Sequence, residues 1–210
     1  MKIILMRHGE PDLLETALTQ SLPASAMKQW VEDYNASQVK PLPESILKQL
    51  LSDVLDASSD SAPPFVVCSE LRRSVHSAEL LKEGGVIDSV STVELDFHEA
   101  ELPCFKVPWL RMKPMIWCVL FRLMWFAGLS KDSGELVESY RRFRTRADNA
   151  IKQLEDHARQ HESVLFVGHG VLNRVLLNGL RSRGWSLVEH VRKAGKRDFK
   201  YWGSVELVRK

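Results

Sequence analysis

The sequence predicts an α/β protein: a three-layer α/β/α sandwich with a largely parallel central sheet and a small helical cap insertion. Three observations predict it. Short apolar runs alternate with amphipathic stretches along the chain, two of those runs end in histidine beside glycine, and no linker divides the 210 residues. The first strand is read over Lys2–Met6, where Ile3-Ile4-Leu5 is the continuous apolar run of a buried strand. Helices are expected near Ala24–Asp33 and Pro43–Leu55, then a strand over Phe65–Cys68 and a helix over Leu71–Glu83. Short extended pieces follow near Val86–Ile87 and Thr92–Phe97. A long helix is predicted over Gly134–Gln160. Its apolar residues, from Leu136 and Val137 through Phe143 and Ile151 to Ala158, keep three- and four-residue spacing, with Asp132 and Glu135 placed to cap it. Strand Ser163–Val167, helix Val171–Arg183 and strand Ser204–Val208 complete the alternation.

Composition narrows the class. Hydrophobic content of 44% and charged content of 27% are those of a soluble globular chain, and 210 residues can bury one sizeable core, so residues 1–210 are expected to form one domain. The apolar stretch at the start is too short for a signal peptide, which points to a cytoplasmic protein. Cys68, Cys104 and Cys118 are an odd set without C-x-x-C spacing and read as packing residues, not as a disulfide framework or zinc site. The net charge of +2 hides an asymmetry: residues 1–100 carry 8 Lys/Arg against 16 Asp/Glu, residues 101–210 carry 21 against 11. The basic half suits an anionic substrate. Arg192, Lys193, Lys196, Arg197 and Lys200 cluster late in the chain without a nucleic-acid motif and read as a solvated loop.

The chemistry-bearing residues sit where the first strand and two later ones end. Arg7-His8-Gly9 leaves the first, Gly168-His169-Gly170 leaves the strand ending at Val167, and Ser69-Glu70-Leu71-Arg72-Arg73 opens a helix directly after Cys68. In an open parallel sheet that edge is the ligand crevice. Arginines there suit multi-donor binding of phosphoryl oxygens, and a neutral histidine can act as a nucleophile. The remaining histidines, His76, His98, His157, His161 and His190, lack ligand spacing and read as solvated.

These three motifs, in this order, resemble the histidine phosphatase superfamily, which includes phosphoglycerate mutases and many small phosphatases. The resemblance implies His8 as the nucleophile, His169 as a hydrogen-bond donor to the transferring phosphoryl group, and Arg7 and Arg73 as its phosphate ligands. It implies no metal and no other cofactor, with a small phosphate ester or phosphorylated molecule as the partner. The acid that protonates the leaving oxygen would follow the second arginine's helix. Glu99, in Phe97-His98-Glu99-Ala100-Glu101-Leu102-Pro103, is the first choice, with Glu94 as the alternative. The reading is of a metal-independent phosphatase working through phosphohistidine; the alternatives are a phosphomutase of the same superfamily or a catalytically weak phosphate-binding module.

Two departures qualify the resemblance. Many members continue Arg-His-Gly with Glu-Thr, whereas this chain has Glu10-Pro11-Asp12-Leu13, which points away from a phosphoglycerate-type substrate. The second is the cap insertion at about 103–131, whose stretch Met115–Leu129 is apolar nearly all round and is therefore expected to be buried. Its 15 residues reach about 22 Å, short of a hydrocarbon core of about 30 Å, and Arg122 interrupts them, so it is not read as a transmembrane span. A lid or core element comes first, with Trp117 or Trp125 contacting the leaving group or holding the loop that does. A homodimer face and a patch resting on a membrane stay open beside it.

Overall fold

The computed structural model describes residues 1–55, 63–107, 109–129, 137–188 and 199–209. Its strands in chain order are β1 (Lys2–Arg7), β2 (Leu22–Pro23), β3 (Phe65–Ser69), β4 (Thr92–Glu94), β5 (Arg111–Met112), β6 (Ser163–Gly168), β7 (Ser186–Leu187) and β8 (Ser204–Val208). Its α-helices are α1 (Glu15–Thr19), α2 (Met27–Ala36), α3 (Glu44–Leu55), α4 (Arg72–Glu83), α5 (Pro114–Phe126), α6 (Tyr140–His161) and α7 (Gly170–Ser182). Six strands form the central sheet in the order β4-β3-β6-β1-β8-β7, and β2 pairs with β5 as a separate two-stranded ribbon. The pairs β4/β3, β3/β6 and β6/β1 are parallel, while β8 runs antiparallel to both β1 and β7.

Alternation along β1 shows why the sheet is buried on both sides. Ile3 and Leu5 join Val67, Phe166 and Leu207 against Phe143, Ile151 and Leu154 of α6 and Leu176 and Leu180 of α7. Ile4 and Met6 join Val66, Cys68 and Val167 against Leu50 of α3 and Ala78 and Leu81 of α4. The three-layer sandwich with a mostly parallel sheet is thus the observed fold. Because α4 leaves β3 toward one face and α7 leaves β6 toward the other, the two helices diverge and open a crevice above the strand ends.

Four local expectations are corrected. The long helix starts at Tyr140, not Gly134: residues 137–139 are non-helical, and the Ser139 hydroxyl caps it by accepting from the Arg142 N–H at 3.3 Å. Asp132, Glu135 and Leu136 lie outside the described residues, as do His190 and residues 192–197 of the basic cluster. Val86 and Ile87 form no strand. They follow the left-handed Gly85 (φ +72°) that ends α4, and the Val86 N–H turns back to the Leu81 carbonyl, which tucks both side chains into the core. Cys104 is exposed rather than packed.

The fourth correction concerns α5. Only one face of this apolar helix is buried: Trp117 and Phe121 pack on Ala24, Met27 and Trp30, and Trp125 joins the main core. The Trp117 indole N–H donates to the Leu22 carbonyl and that of Trp125 to the Glu138 carbonyl, each at 2.8 Å. Both indoles are structural, and truncating either is a core-cavity change of about 3–5 kcal/mol. The opposite face, with Ile116, Val119 and Leu123, is exposed, because nothing among the described residues packs over it. Apolar composition drove the expectation of complete burial, but one stripe suffices to seat the helix.

Candidate active site

Register brings the three motifs together. Arg7 pairs with Gly168, and one residue earlier Val167 lies between Met6 of β1 and Cys68 of β3, so β1, β3 and β6 end at one level. His8 and His169 therefore leave the sheet side by side, the His8 N–H donating to the Gly168 carbonyl at 2.9 Å and their ring centroids 5.2 Å apart. Arg73, in the first turn of α4, reaches across and donates from Nε to His8 Nε2 at 3.2 Å. Arg7 donates to the Phe199 carbonyl at 2.9 Å and lies 4.1 Å from the ring centre of Tyr201.

The tautomer of His8 follows from its neighbours. Its Nδ1 is 2.7 Å from the Gly9 carbonyl, which can only accept, so Nδ1 carries the proton and the Nε2 lone pair faces Arg73. Burial foremost, then the charges of Arg73 and Arg7, hold His8 well below the ordinary imidazole value. His169 is fully buried and is lowered in the same way, by burial first, then Arg73, His8 and Arg7. Both its ring nitrogens, and Arg7 Nε, are buried without a hydrogen-bond partner. Arg73 spends its other end on the neutral Asn35 Oδ1 at 2.8 Å, and among the described residues neither arginine forms an ion pair with a carboxylate. Two guanidinium groups and unpartnered donors converge with the Glu99 charge acting on Arg73 only from beyond ion-pair distance, an arrangement that an anion would complete.

Neighbouring elements fix these groups. The Ser77 hydroxyl of α4 accepts from the Gly9 N–H at 2.9 Å, and Ser74 donates to the Val167 carbonyl at 2.5 Å. Asn173 of α7 donates to the Met6 carbonyl at 2.9 Å. Gly9 admits no side chain, because a Cβ there would sit 2.4 Å from the Trp202 ring.

Glu99 lies at the start of α7. Its carboxylate accepts from the N–H groups of Val171, Leu172 and Ala100, each at 3.0 Å, and so caps the helix for which His169 provides no side-chain cap. The loop carrying it is held from both sides. Arg122 of α5 donates to the carbonyls of Ala100 and Glu101, each at 2.9 Å, and Arg146 of α6 donates to those of Asp96 and His98 at 2.7 and 2.8 Å. Arg146 is itself fixed by a two-pronged ion pair with Glu138 at 2.9 and 2.7 Å. Glu94 points elsewhere: it accepts from Thr92 and sits 3.9 Å from His157, outside this cluster. Of the other histidines, His76 accepts from the Val39 N–H at 3.1 Å, and His157 and His161 stack on Phe65, so none of these three is merely solvated.

The sequence reading missed an aromatic pair. Tyr34, at the end of α2, lies 4.9 Å from the Arg73 guanidinium and close enough to Tyr201, which faces Arg7, for the two phenols to influence each other. Burial first, and Tyr201 second, raise the Tyr34 phenol well above its ordinary value, so it stays neutral. Both rings flank the two arginines. Tyr201 is placed by antiparallel β8, whose start pairs Ser204 with Met6 and sets the preceding residues beside His8.

The family profile described as the histidine phosphatase superfamily (branch 1) matches residues 49–194. The chain belongs to this superfamily. The matched stretch contains Arg73, Glu99 and His169 and begins after Arg7-His8-Gly9. Among curated proteins none matches. A histidine-to-alanine variant of phosphoserine phosphatase from Entamoeba histolytica, in complex with phosphoserine, superposes with a TM-score of 0.55 at 14% identity, covering 100% of this chain and 91% of that one. A structure called mycobacterial hydrolase 1 gives 0.53 at 19%, covering 85% and 78%. Mycobacterial glucosyl-3-phosphoglycerate phosphatase in complex with VO3 gives 0.51 at 18%, covering 85% and 81%. At these identities the likeness to the solved structures is one of fold.

The two lowered histidines make stability depend on pH. Both folded values lie below the ordinary 6.5, so as pH falls through 6.5 the unfolded chain takes up protons first. Their contribution is full above that pH and is lost progressively below it, down to the folded values, at up to about 1.4 kcal/mol per pH unit for each histidine. Urea midpoints measured downward from about pH 7 are expected to fall accordingly. A midpoint that stays flat through this range would show that the two rings are not held neutral.

Proposed function

We propose that this superfamily member is a metal-independent phosphatase that hydrolyses a phosphomonoester through a phosphohistidine on His8. The observation that carries the reading is the Nε2 of His8, left without a proton by the Nδ1–Gly9 contact, set beside the buried Arg73 and the half-buried Arg7, neither of which is ion-paired to a carboxylate among the described residues. Arg7, Arg73 and His169 bind the phosphoryl oxygens and stabilise the charge that gathers on them in transfer. As the Arg73 Nε–H passes from Nε2 to a phosphoryl oxygen, the Nε2 lone pair forms the N–P bond while the ester P–O bond breaks, and the leaving oxygen takes a proton from Glu99. Water then attacks phosphorus while Glu99 accepts its proton, the N–P bond breaks, and inorganic phosphate leaves. Both Glu99 oxygens accept backbone N–H groups, which suits the second step; the first requires protonated Glu99 to turn its hydroxyl to the leaving oxygen. Two of the solved structures of this fold carry the name phosphatase, which agrees with the reading.

The test is hydrolysis of p-nitrophenyl phosphate by chelator-treated protein. Turnover unchanged by chelator and inhibited by VO3 is expected. Activity that vanishes with chelator and returns only with a divalent metal would overturn the metal-independent scheme, and absence of turnover with phosphate binding intact would favour a binding module.

A further inference from the structure

The outward face of α5 is apolar in a way the active site does not use. Ile116, Val119, Leu123 and Phe126 recur at three- and four-residue intervals and are between 46% and 60% exposed, opposite the buried stripe of Trp117, Phe121 and Trp125. Leu129, just past the helix end, and Trp109 and Leu110, ahead of its start, are exposed as well. Trp109 is 97% exposed and has φ +50°, a left-handed conformation that a bulky residue adopts only under strain. Soluble proteins rarely leave open so many large apolar side chains on one helix face and its flanks.

Charge decides the occupant. From Leu102 to Lys131 the chain has no Asp or Glu but five Lys/Arg. Three of these, Lys106, Arg111 and Lys113, are exposed in the stretch leading into α5. Glu15 and Glu32 belong to α1 and α2, the helices against which α5 packs inward. A second copy of this chain would bring two such cationic rims together, with no carboxylate from the segment to neutralise them. A surface of anionic lipid supplies what both parts lack: hydrocarbon for the leucine, isoleucine, phenylalanine and tryptophan side chains, and negative headgroups for the lysines and arginine.

We propose that the outer face of α5, with the turn at Trp109, docks the protein onto the surface of an anionic lipid bilayer. The helix lies in the interface and does not cross it: at 13 residues it is about 20 Å long, and no described helix is long and apolar enough to span. Docking is independent of phosphoryl chemistry. It nonetheless keeps the pocket near the bilayer, since α5 packs on α2, whose last turn supplies Asn35 to Arg73.

The experiment is co-sedimentation of the full chain with phosphatidylcholine vesicles made with and without phosphatidylglycerol, alongside tryptophan fluorescence. Expected are pelleting and a blue shift with the anionic vesicles only, weakened by added salt. The double variant Val119→Asp/Leu123→Asp should lose at least about tenfold in partitioning, as should Lys106→Glu/Lys113→Glu. Both pairs are solvent-facing, so unchanged thermal melts and unchanged hydrolysis of p-nitrophenyl phosphate are expected to accompany the loss. Wild-type protein that stays in the supernatant with anionic vesicles overturns the proposal. So does a dimer in sedimentation that Leu123→Asp dissociates without lipid binding, which would assign the face to a second copy.

Discussion

His8→Ala is expected to abolish the acid-labile phosphate trapped on the protein during turnover and to lower kcat by several orders of magnitude. The expectation rests on geometry at one atom. Nδ1 is committed to the Gly9 carbonyl, so the attacking lone pair is that of Nε2, which becomes available when the Arg73 Nε–H now donating to it turns to a phosphoryl oxygen. No other described side chain there offers a comparable neutral lone pair except His169, whose ring is fully buried at the N-cap of α7. The variant should still bind phosphate, because Arg7, Arg73 and His169 remain, so inorganic phosphate should raise its unfolding midpoint as it does that of the parent. Lost turnover with preserved phosphate protection separates a missing nucleophile from a misfolded site. Full turnover by His8→Ala, or phosphate trapped on a different residue, sinks the mechanism.

The four residues of this pocket were legible in the sequence because each sits at a local signal. An apolar strand running into Arg7-His8-Gly9, another into Gly168-His169-Gly170, and Arg73 in the helix that directly follows Phe65–Ser69 are all short-range patterns, and parallel register converts them into one site without further information. Tyr34, Asn35 and Tyr201 were not legible for the opposite reason. Their placement depends on the packing of α2 over α4 and on β8 running antiparallel to β1, and neither follows from spacing in a single chain. The same limit explains α5. Hydrophobicity all round a helix says that it avoids water, yet Trp117, Phe121 and Trp125 are buried with Leu120 and Met124 packed beside them, and only the packed structure reveals that Ile116, Val119 and Leu123 stay exposed among the described residues. The start of α6 slid from Gly134 to Tyr140 because Val137 fits a helical stripe by spacing, whereas the cap that fixes the boundary is the Ser139 hydroxyl.

Glu99→Gln is expected to slow esters with poor leaving groups by about 10² to 10⁴, and esters with good leaving groups far less. An alkoxide needs a proton as its P–O bond breaks, whereas p-nitrophenolate departs without one, so the ratio between the two substrates isolates the proton transfer. This control is essential because Glu99 also has a structural task. Its two oxygens accept the N–H groups of Val171 and Leu172 at the start of α7, directly beyond His169, and that of Ala100 in its own loop, and glutamine keeps only one of the two oxygens. Weakening that cap would cost on the order of 1 kcal/mol and would shift His169 for every substrate alike. A uniform fall in kcat across leaving groups, tracking lowered thermal stability, would therefore make Glu99 a positioning residue that acts through His169. A loss that steepens with leaving-group pKa would make it the proton donor. Glu94→Gln is the matched comparison, since Glu94 faces Thr92 and His157 and should leave both substrates unaffected. If Glu94→Gln instead produces the leaving-group dependence, the assignment of the acid moves to that residue, and the loop held by Arg122 and Arg146 is left with a purely structural purpose.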